Sequence, residues 1–320
     1  MNFILIQGGG DLATGVAVRL RRAGFHILIT ELPQPLAVRR AVSFSEAIYE
    51  GAHTVEGITA RRVATPAEIE ITCQRGEIPV LVDPELAVSS DQLSVGSGQL
   101  SVISEQSSEA NNRPTEQPEH RSTGTPEHRP TEQPEHRPTE QPEHRPTGTP
   151  NNRLTALIDA RLLKTKQPAI DLQNSPFKIG LGPGFTAGVN CHAAIETNRG
   201  HLLGRVLWRG ATSADTGLPE GDPRRVLRAP VEGVFAGYAQ IGESVTAGQL
   251  LARVGGEPVF SPFPGVLRGL VRPGLRVARG VKIGDVDARG VRDYCFLVSD
   301  KALAIGGAAL EALLTYDIRP

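Results

Sequence analysis

The strongest constraint on the fold lies in the first thirty residues. There an apolar run, "NFILIQ", leads through "GGGDLATG" into the helical periodicity of "LATGVAVRLRRAG" and then into a second apolar run, "FHILIT". Short continuous apolar runs suit strands buried on both faces, and the spacing between them suits an amphipathic helix. Gly24 follows a basic last turn of Arg19, Arg21 and Arg22, which complements the negative end of a helix dipole. The segment reads as strand, helix, strand, the unit of parallel α/β sheets. "ITARRVA" (58–64) alternates and "IPVLVD" (78–83) is continuously apolar, with a Pro66-led helix, "PAEIEITCQRG", between them, so both extend the sheet.

That pattern stops near residue 89. QLSV recurs at a spacing of seven, and PEHR then recurs at 118, 126, 134 and 142 with a period of eight. Proline at that density holds neither helix nor inner strand, and few large apolar residues remain to bury, so 104–153 is expected to be disordered. Four of the eight histidines, His120, His128, His136 and His144, fall in this tract, without the fixed geometry a metal site needs. "LTALIDARLLK" and "FKIGLGPG" resume the buried-sheet pattern, which makes the tract an insertion within one domain.

A second repeat occupies the last third. "APVEGV" (229–234) matches "SPFPGV" (261–266), Gly242 matches Gly274, Val245 matches Val277 and Gly248 matches Gly280, all at an offset of 32. Two copies of a strand, turn, strand unit describe a pseudo-symmetric β structure in which each half buries the other. The order resembles the barrel-sandwich hybrid fold of biotinyl and lipoyl carrier domains. Those carriers present a lysine at the hairpin joining the halves. Here that hairpin, "VGGEPVF" (254–260), has none and Lys282 lies in a late strand, so biotin or lipoate is not expected.

The expected fold is therefore α/β, a Rossmann-like mostly parallel sheet domain followed by a barrel-sandwich hybrid β domain. The α/β domain comprises 1–103 and 154–225, interrupted by 104–153. The β domain spans 226–290, and 291–320 returns to the α/β domain as a strand and a helix, the latter N-capped by Ser299. A net charge of -1 argues against nucleic acid as a partner. No apolar stretch approaches the ~18 residues of a membrane span and the opening lacks a basic leader, so the expected location is cytoplasmic and away from membranes. Cys73, Cys191 and Cys295 are widely spaced, which suits reduced buried thiols, and no zinc spacing is present.

Chemistry concentrates at two places. Gly8, Gly10 and Ala13 fit GxGxxA after a strand and at a helix start, and Glu31 ends the second strand. In a nucleotide site Gly8 permits the turn, Gly10 admits a pyrophosphate, Ala13 lets helix and strand approach, and Glu31 accepts from ribose hydroxyls, favouring an unphosphorylated ribose. Asp11 suits a helix N-cap but would repel a phosphate. Arg39 and Arg40 either clamp an anion or form a solvated helix end. A purely structural turn remains the alternative. The second place is the glycine-rich segment 180–205, holding Gly182, Gly184, Asn190, His192, Glu196, Arg199 and His201. It reads either as a ligand or substrate loop at a strand end, with Glu196 and His192 on one face, or as hydrogen-bonded loop structure. In the closing helix, Gly306 and Gly307 suggest close approach of another backbone or a ligand.

The strings "GGGDLATGVAVRLRRAGF", "TELPQPLAVRRAVSFSEAIYEG", "VDPE", "IGLGPGFTAGVNCHAAIETNRGH", "LGRV", "VLRAP", "KIGDVD" and "SDKALAIGG" resemble the YqeB family of selenium-dependent molybdenum hydroxylase system proteins. The resemblance spans nearly all the chain except the repeat tract. It implies an accessory protein for maturation or cofactor handling of such a hydroxylase, which would be its partner together with the assembly machinery. The bound nucleotide would then be that of a molybdopterin dinucleotide or an NAD-like cofactor, and the family assigns no catalytic residue. Two other readings stay open: an NAD-dependent oxidoreductase using His192 or Lys301 as acid or base, and a non-catalytic docking protein for hydroxylase subunits. The lack of a Tyr-x-x-x-Lys dyad favours the accessory reading.

Overall fold

The computed structural model describes residues 2–83, 153–216 and 221–320. The expected disordered tract lies outside the described residues except for Arg153, which opens a strand. In chain order the first part holds β1 (Asn2–Gln7), α1 (Asp11–Arg22), β2 (His26–Glu31), α2 (Ala47–Glu50), β3 (Ala52–Val55), β4 (Ile58–Val63), α3 (Pro66–Gln74) and β5 (Ile78–Val82). After the tract come β6 (Arg153–Asp159), β7 (Phe177–Leu181), β8 (Thr186–Ala187), β9 (Ala193–Ile195), β10 (Val206–Leu207) and β11 (Gly210–Ala211).

Nine of these strands form one sheet in the order β10-β9-β7-β6-β1-β2-β5-β4-β3. From β9 to β4 every pairing is parallel, and β10 and β3 add antiparallel edges. Strands from both sides of the repeat tract thus share one sheet, with β6 directly beside β1. Alternation along β1 and β2 splits the core between two faces. Ile4, Ile6, Ile27 and Ile29 pack with Val16 and Leu20 of α1, while Phe3, Leu5 and Leu28 pack with Ile69 and Cys73 of α3.

Eight further strands make the second part: β12 (Val226–Arg228), β13 (Gly233–Gly237), β14 (Ser244–Val245), β15 (Leu250–Val254), β16 (Glu257–Phe260), β17 (Gly265–Leu270), β18 (Arg276–Val277) and β19 (Lys282–Asp287). They form two antiparallel sheets, β12-β19-β17-β14 and β16-β15-β13-β18, around one apolar core centred on Phe235, Leu251, Leu267 and Ile283. The offset of 32 carries β13 onto β17, β14 onto β18 and β15 onto β19, so each sheet repeats the other's plan. The matched turn glycines share a left-handed backbone: Gly242 and Gly274 at φ +89 and +88, Gly248 and Gly280 at +77 and +81. An L-residue there would be strained, which is why glycine recurs at both copies.

The two parts meet where the segment after β2 packs on the end of β17 and the residues just after it. Leu270 donates its N–H to Val38 O at 2.8 Å, Arg40 Nε donates to Leu270 O at 2.9 Å, and Arg272 pairs with Glu46 and Glu50 at 2.9 and 2.7 Å. The chain then returns through α4 (Asp300–Thr315), whose N-cap Ser299 accepts from the Ala302 N–H. Gly15 of α1 and Gly306 of α4 face each other's helix: a Cβ on Gly15 would lie 2.5 Å from Ala302 Cβ, and one on Gly306 would lie 2.7 Å from Gly15 O. The expected approach of a backbone at Gly306 is therefore met by α1, whereas a Cβ on Gly307 meets open space. The strand expected after residue 291 is instead a 3-10 turn, Arg292–Cys295. Cys295 and Val298 are buried three residues apart while Tyr294, Phe296 and Leu297 are exposed, a turn's spacing rather than a strand's. No described helix is long and apolar enough to cross a membrane.

Candidate functional site

The chain builds β2, β4 and β5 on one side of β1 and returns with β6 on the other. Reversal of that kind opens a crevice beyond the carboxyl ends of the strands, where open parallel sheets bind ligands. A cavity of about 240 Å³ lies there, walled by the turn after β1, by Glu31 and the segment to Ala37 after β2, by Ser45, and by Ala160 to Leu163 after β6. Gly8, Gly10, Asp11, Ala13 and Glu31, five of the sequence candidates, line it.

Each glycine of the turn has a separate reason. Gly8 sits at φ +91 and donates its N–H to Thr30 O at 2.8 Å, which folds the turn back on β2. Gly9 is enclosed: a Cβ would lie 2.9 Å from Ser45 N, and its N–H donates to Glu31 Oε2 at 2.6 Å. Gly10 is the N-cap of α1 at φ -65, which any residue adopts, and a Cβ there would meet nothing within 4 Å. With no side chain to cap it, the first turn of α1 keeps N–H groups directed at the crevice, together with the positive end of the helix dipole. Asp11 is therefore the first helical residue rather than the N-cap, because the backbone turns one residue earlier. Its carboxylate lies 3.6 Å from Arg39, which offsets the repulsion expected toward a phosphate.

Glu31 also accepts from the Leu32 N–H at 2.7 Å. Burial pushes its carboxyl above the usual range, and the two backbone N–H groups pull it back. Its two oxygens thus fix the glycine turn, and each keeps further lone-pair capacity. Ser45 donates its N–H to Gly9 O at 2.9 Å, while its buried hydroxyl has no hydrogen-bond partner. Arg161, absent from the sequence candidates, is held at the crevice by two bonds to Asp159, at 2.9 and 2.6 Å. Its only sequence signal was a place just past the end of an apolar run, which becomes informative once β6 is known to lie beside β1.

Arg39 and Arg40 stand elsewhere. Arg39 is buried and donates to the carbonyls of Tyr294 and Leu297 at 3.0 and 3.1 Å, and Arg40 reaches Leu270 O. Neither lines the cavity. They tie the two parts together instead, using donors that a sequence shows only as charge.

The segment 180–205 does not line the cavity either. Asn190 is fully buried, accepting from Thr186 N and donating to the carbonyls of Gln167 and Gly184. His192 accepts at Nδ1 from Lys178 N and lies 2.9 Å from Leu172 O at Nε2, so both ring nitrogens are engaged, and burial lowers its pKa. Glu196 accepts from Asn198 N and Ser213 N at 2.7 and 2.6 Å and does not pair with His192. Arg199 forms a bidentate pair with Asp300, and His201 is exposed. Gly182 and Gly184 make room for Thr197 and for the Thr165 carbonyl. The polar residues in this loop shape the chain after β7. The three cysteines are buried and free, and burial raises the thiols of Cys73 and Cys191 to about 11.

No protein-family model matches the chain. It is 35% identical over 315 residues to the uncharacterized protein YqeB of Escherichia coli K12, a match covering 97% of this chain and 47% of YqeB. The chain thus spans about half the length of the curated relative it matches. Solved structures that align include product-bound EutE (DoeB), an ectoine utilization protein of Ruegeria pomeroyi, at 23% identity, 25% of this chain, 27% of that chain and a TM-score of 0.19. A succinylglutamatedesuccinylase/aspartoacylase of Rhodobacter sphaeroides aligns at 15% identity over 42% of this chain and 58% of that chain, with a TM-score of 0.20.

Proposed function

We propose that this chain, a homologue of YqeB over nearly its whole length, binds the nucleotide portion of a dinucleotide in the crevice at β1, β2 and β6. In this reading it serves maturation or cofactor handling of a selenium-dependent molybdenum hydroxylase, and the ligand is a molybdopterin dinucleotide or an NAD-like cofactor. The parallel sheet is read as Rossmann-like and the paired sheets as a barrel-sandwich hybrid used for structure or docking.

The observation that carries the reading is Gly10. Its φ does not call for glycine and no packed neighbour excludes a side chain, yet the position lines a cavity at an uncapped helix N-terminus. Space for a closely approaching anion accounts for glycine there. The cavity volume of about 240 Å³ is below the ~300–1,000 Å³ usual for ligand pockets, so it suits one nucleotide moiety with the rest of the ligand extending outward. Leu32, Leu36 and Leu163 stand exposed at its walls and suit the face of a base. The remaining lone pairs of Glu31 suit ribose hydroxyls. The hydroxylase assignment is supported by the family resemblance of the sequence alone.

Native mass spectrometry of the purified chain tests this reading and is expected to find a retained nucleotide or dinucleotide. Thermal shift with NAD, CTP and a molybdopterin dinucleotide should identify the class, and Gly10→Val should abolish the shift with an unchanged unfolding curve. No shift with any of the three, or wild-type binding by Gly10→Val, would refute the crevice as a nucleotide site.

A further inference from the structure

The segment that leaves β6 carries more chemistry than a connection needs. Arg161 lines the crevice, and its Cα would lie 3.5 Å from a Cβ built on Gly8, so it stands directly against the glycine turn. Asp159, only 1% exposed, accepts from its Nε at 2.9 Å and from its Nη2 at 2.6 Å. Those bonds use one edge of the guanidinium. Both N–H groups of Nη1 and the second of Nη2 have no acceptor among the described residues. An arginine fixed along one edge with its outer fork unoccupied is pre-organised for a planar pair of oxygen atoms.

Further features of the same cavity point to a ligand. Ser45 is fully buried and lines the cavity, and its hydroxyl has no hydrogen-bond partner. A buried hydroxyl left unpaired is costly unless something else completes it. Leu162, which also lines the cavity, holds φ +54, and Lys164 beyond it holds φ +63. Left-handed backbone strains residues that carry a side chain, and such strain clusters where a ligand site fixes the chain. A segment that had only to leave β6 could turn on glycine. Asp159 offsets the charge of Arg161, so an anion beside Arg161 is held by directed donors rather than by net charge.

We propose that Arg161 binds the phosphoryl group of the nucleotide in the crevice through its outer fork, with the Ser45 hydroxyl as a second donor and Asp159 as the residue that positions the guanidinium. The proposal rests on the crevice reading and deepens it. It adds a side-chain donor from the end of β6 to the backbone N–H groups at the start of α1, and it makes the phosphoryl group the anchored part of the ligand. A guanidinium fork and a helix N-terminus at one turn both suit oxygen atoms on phosphorus.

Calorimetric titration of the full chain with AMP, CMP and NAD tests this, with adenosine and cytidine as phosphate-free controls. Arg161→Gln should weaken the best-binding phosphorylated ligand roughly tenfold or more and leave nucleoside binding unchanged. Arg161→Lys, which keeps the charge and loses the fork, should recover only a small part of that loss. The double variant Asp159→Asn/Arg161→Gln strands no buried carboxylate and gives the same readout if Arg161→Gln fails to fold. Ser45→Ala should weaken the same ligand severalfold without lowering the urea midpoint of the free chain, since it removes a hydroxyl that has no partner there. Equal losses for nucleotides and nucleosides would make Arg161 a structural residue and overturn the proposal, as would full affinity in Arg161→Lys. Wild-type nucleotide affinity in Arg161→Gln and in the double variant, alongside loss of binding in Gly10→Val, overturns the role of Arg161 and leaves the crevice reading standing. Absence of binding by AMP, CMP and NAD overturns the proposal, and the crevice reading falls with it only if no nucleotide is retained in the native mass spectrum.

Discussion

Three glycines within eight residues should respond to the same substitution, alanine, in three different ways. Gly8 holds φ +91, and its added Cβ would meet Ala160 O at an ordinary 3.4 Å, so Gly8→Ala should lose the ~1–2 kcal/mol of a left-handed L-residue. Gly10 has φ -65 and open space, so Gly10→Ala should lie within about 0.5 kcal/mol of wild type, the lost N-cap preference offsetting the lower entropy of the unfolded chain. Gly15→Ala gains ~1 kcal/mol of helix propensity but drives a methyl to 2.5 Å from Ala302 Cβ and 2.8 Å from its carbonyl. Overpacking of backbone against backbone outweighs that gain, for a net loss of roughly 1–2 kcal/mol. Equilibrium urea unfolding of the three variants measures each value. A Gly10→Ala variant destabilised by more than about 1 kcal/mol would mean that position 10 is packed, and the argument for a ligand from its openness would fall. A neutral Gly15→Ala would show that α1 and α4 do not cross as closely as described.

Further outcomes follow from the same geometry. Asn190→Ala should destabilise by about 2–4 kcal/mol, since the Thr186 amide and the Gln167 carbonyl lose this buried partner while Gly184 O keeps the Gln167 N–H, and should leave nucleotide affinity unchanged; lost affinity without lost stability would move the site to this loop. Arg39→Met should lower the urea midpoint by stranding the Tyr294 and Leu297 carbonyls; an unchanged midpoint would remove its tying role. The Arg289 guanidinium holds Asp287 at about 2, below the ordinary 3.8, so its folded-state pKa is depressed. The stability from that pair is complete above the unfolded value and fades as pH falls from 3.8 toward 2. Wild type should therefore lose more stability than Asp287→Asn over that window, and parallel acid curves would contradict it. Replacing 104–152 with a flexible linker of about 20 residues should preserve the urea midpoint, because a parallel crossover needs only a dozen or more residues; a chain unable to fold would show that the tract contributes to the core.

What was legible in the sequence was local or periodic. The β1, α1 and β2 unit follows from apolar runs, helical spacing and a glycine turn whose requirements act within a few residues. The offset of 32 survives because both copies need the same left-handed turn at Gly242 and Gly274, and at Gly248 and Gly280. Ser299 as a cap and the close helix contact at Gly306 were equally readable, since cap and close-packing rules are carried by residue type.

Tertiary structure alone decided which polar residues are occupied and which face a ligand. Residue type shows that Arg39, Asn190, His192 and Glu196 are polar, but not that backbone groups from Gln167 to Leu297 would take up their donors and acceptors. Only the pairing of β6 with β1 brings Asp159 and Arg161 to the mouth of the glycine turn. Only the docking of β17 on Val38 brings Arg272 to Glu46 and Glu50. Backbone preference acts over a few residues and can be read along the chain; charge and hydrogen bonding act through space, and the fold determines which of them meet.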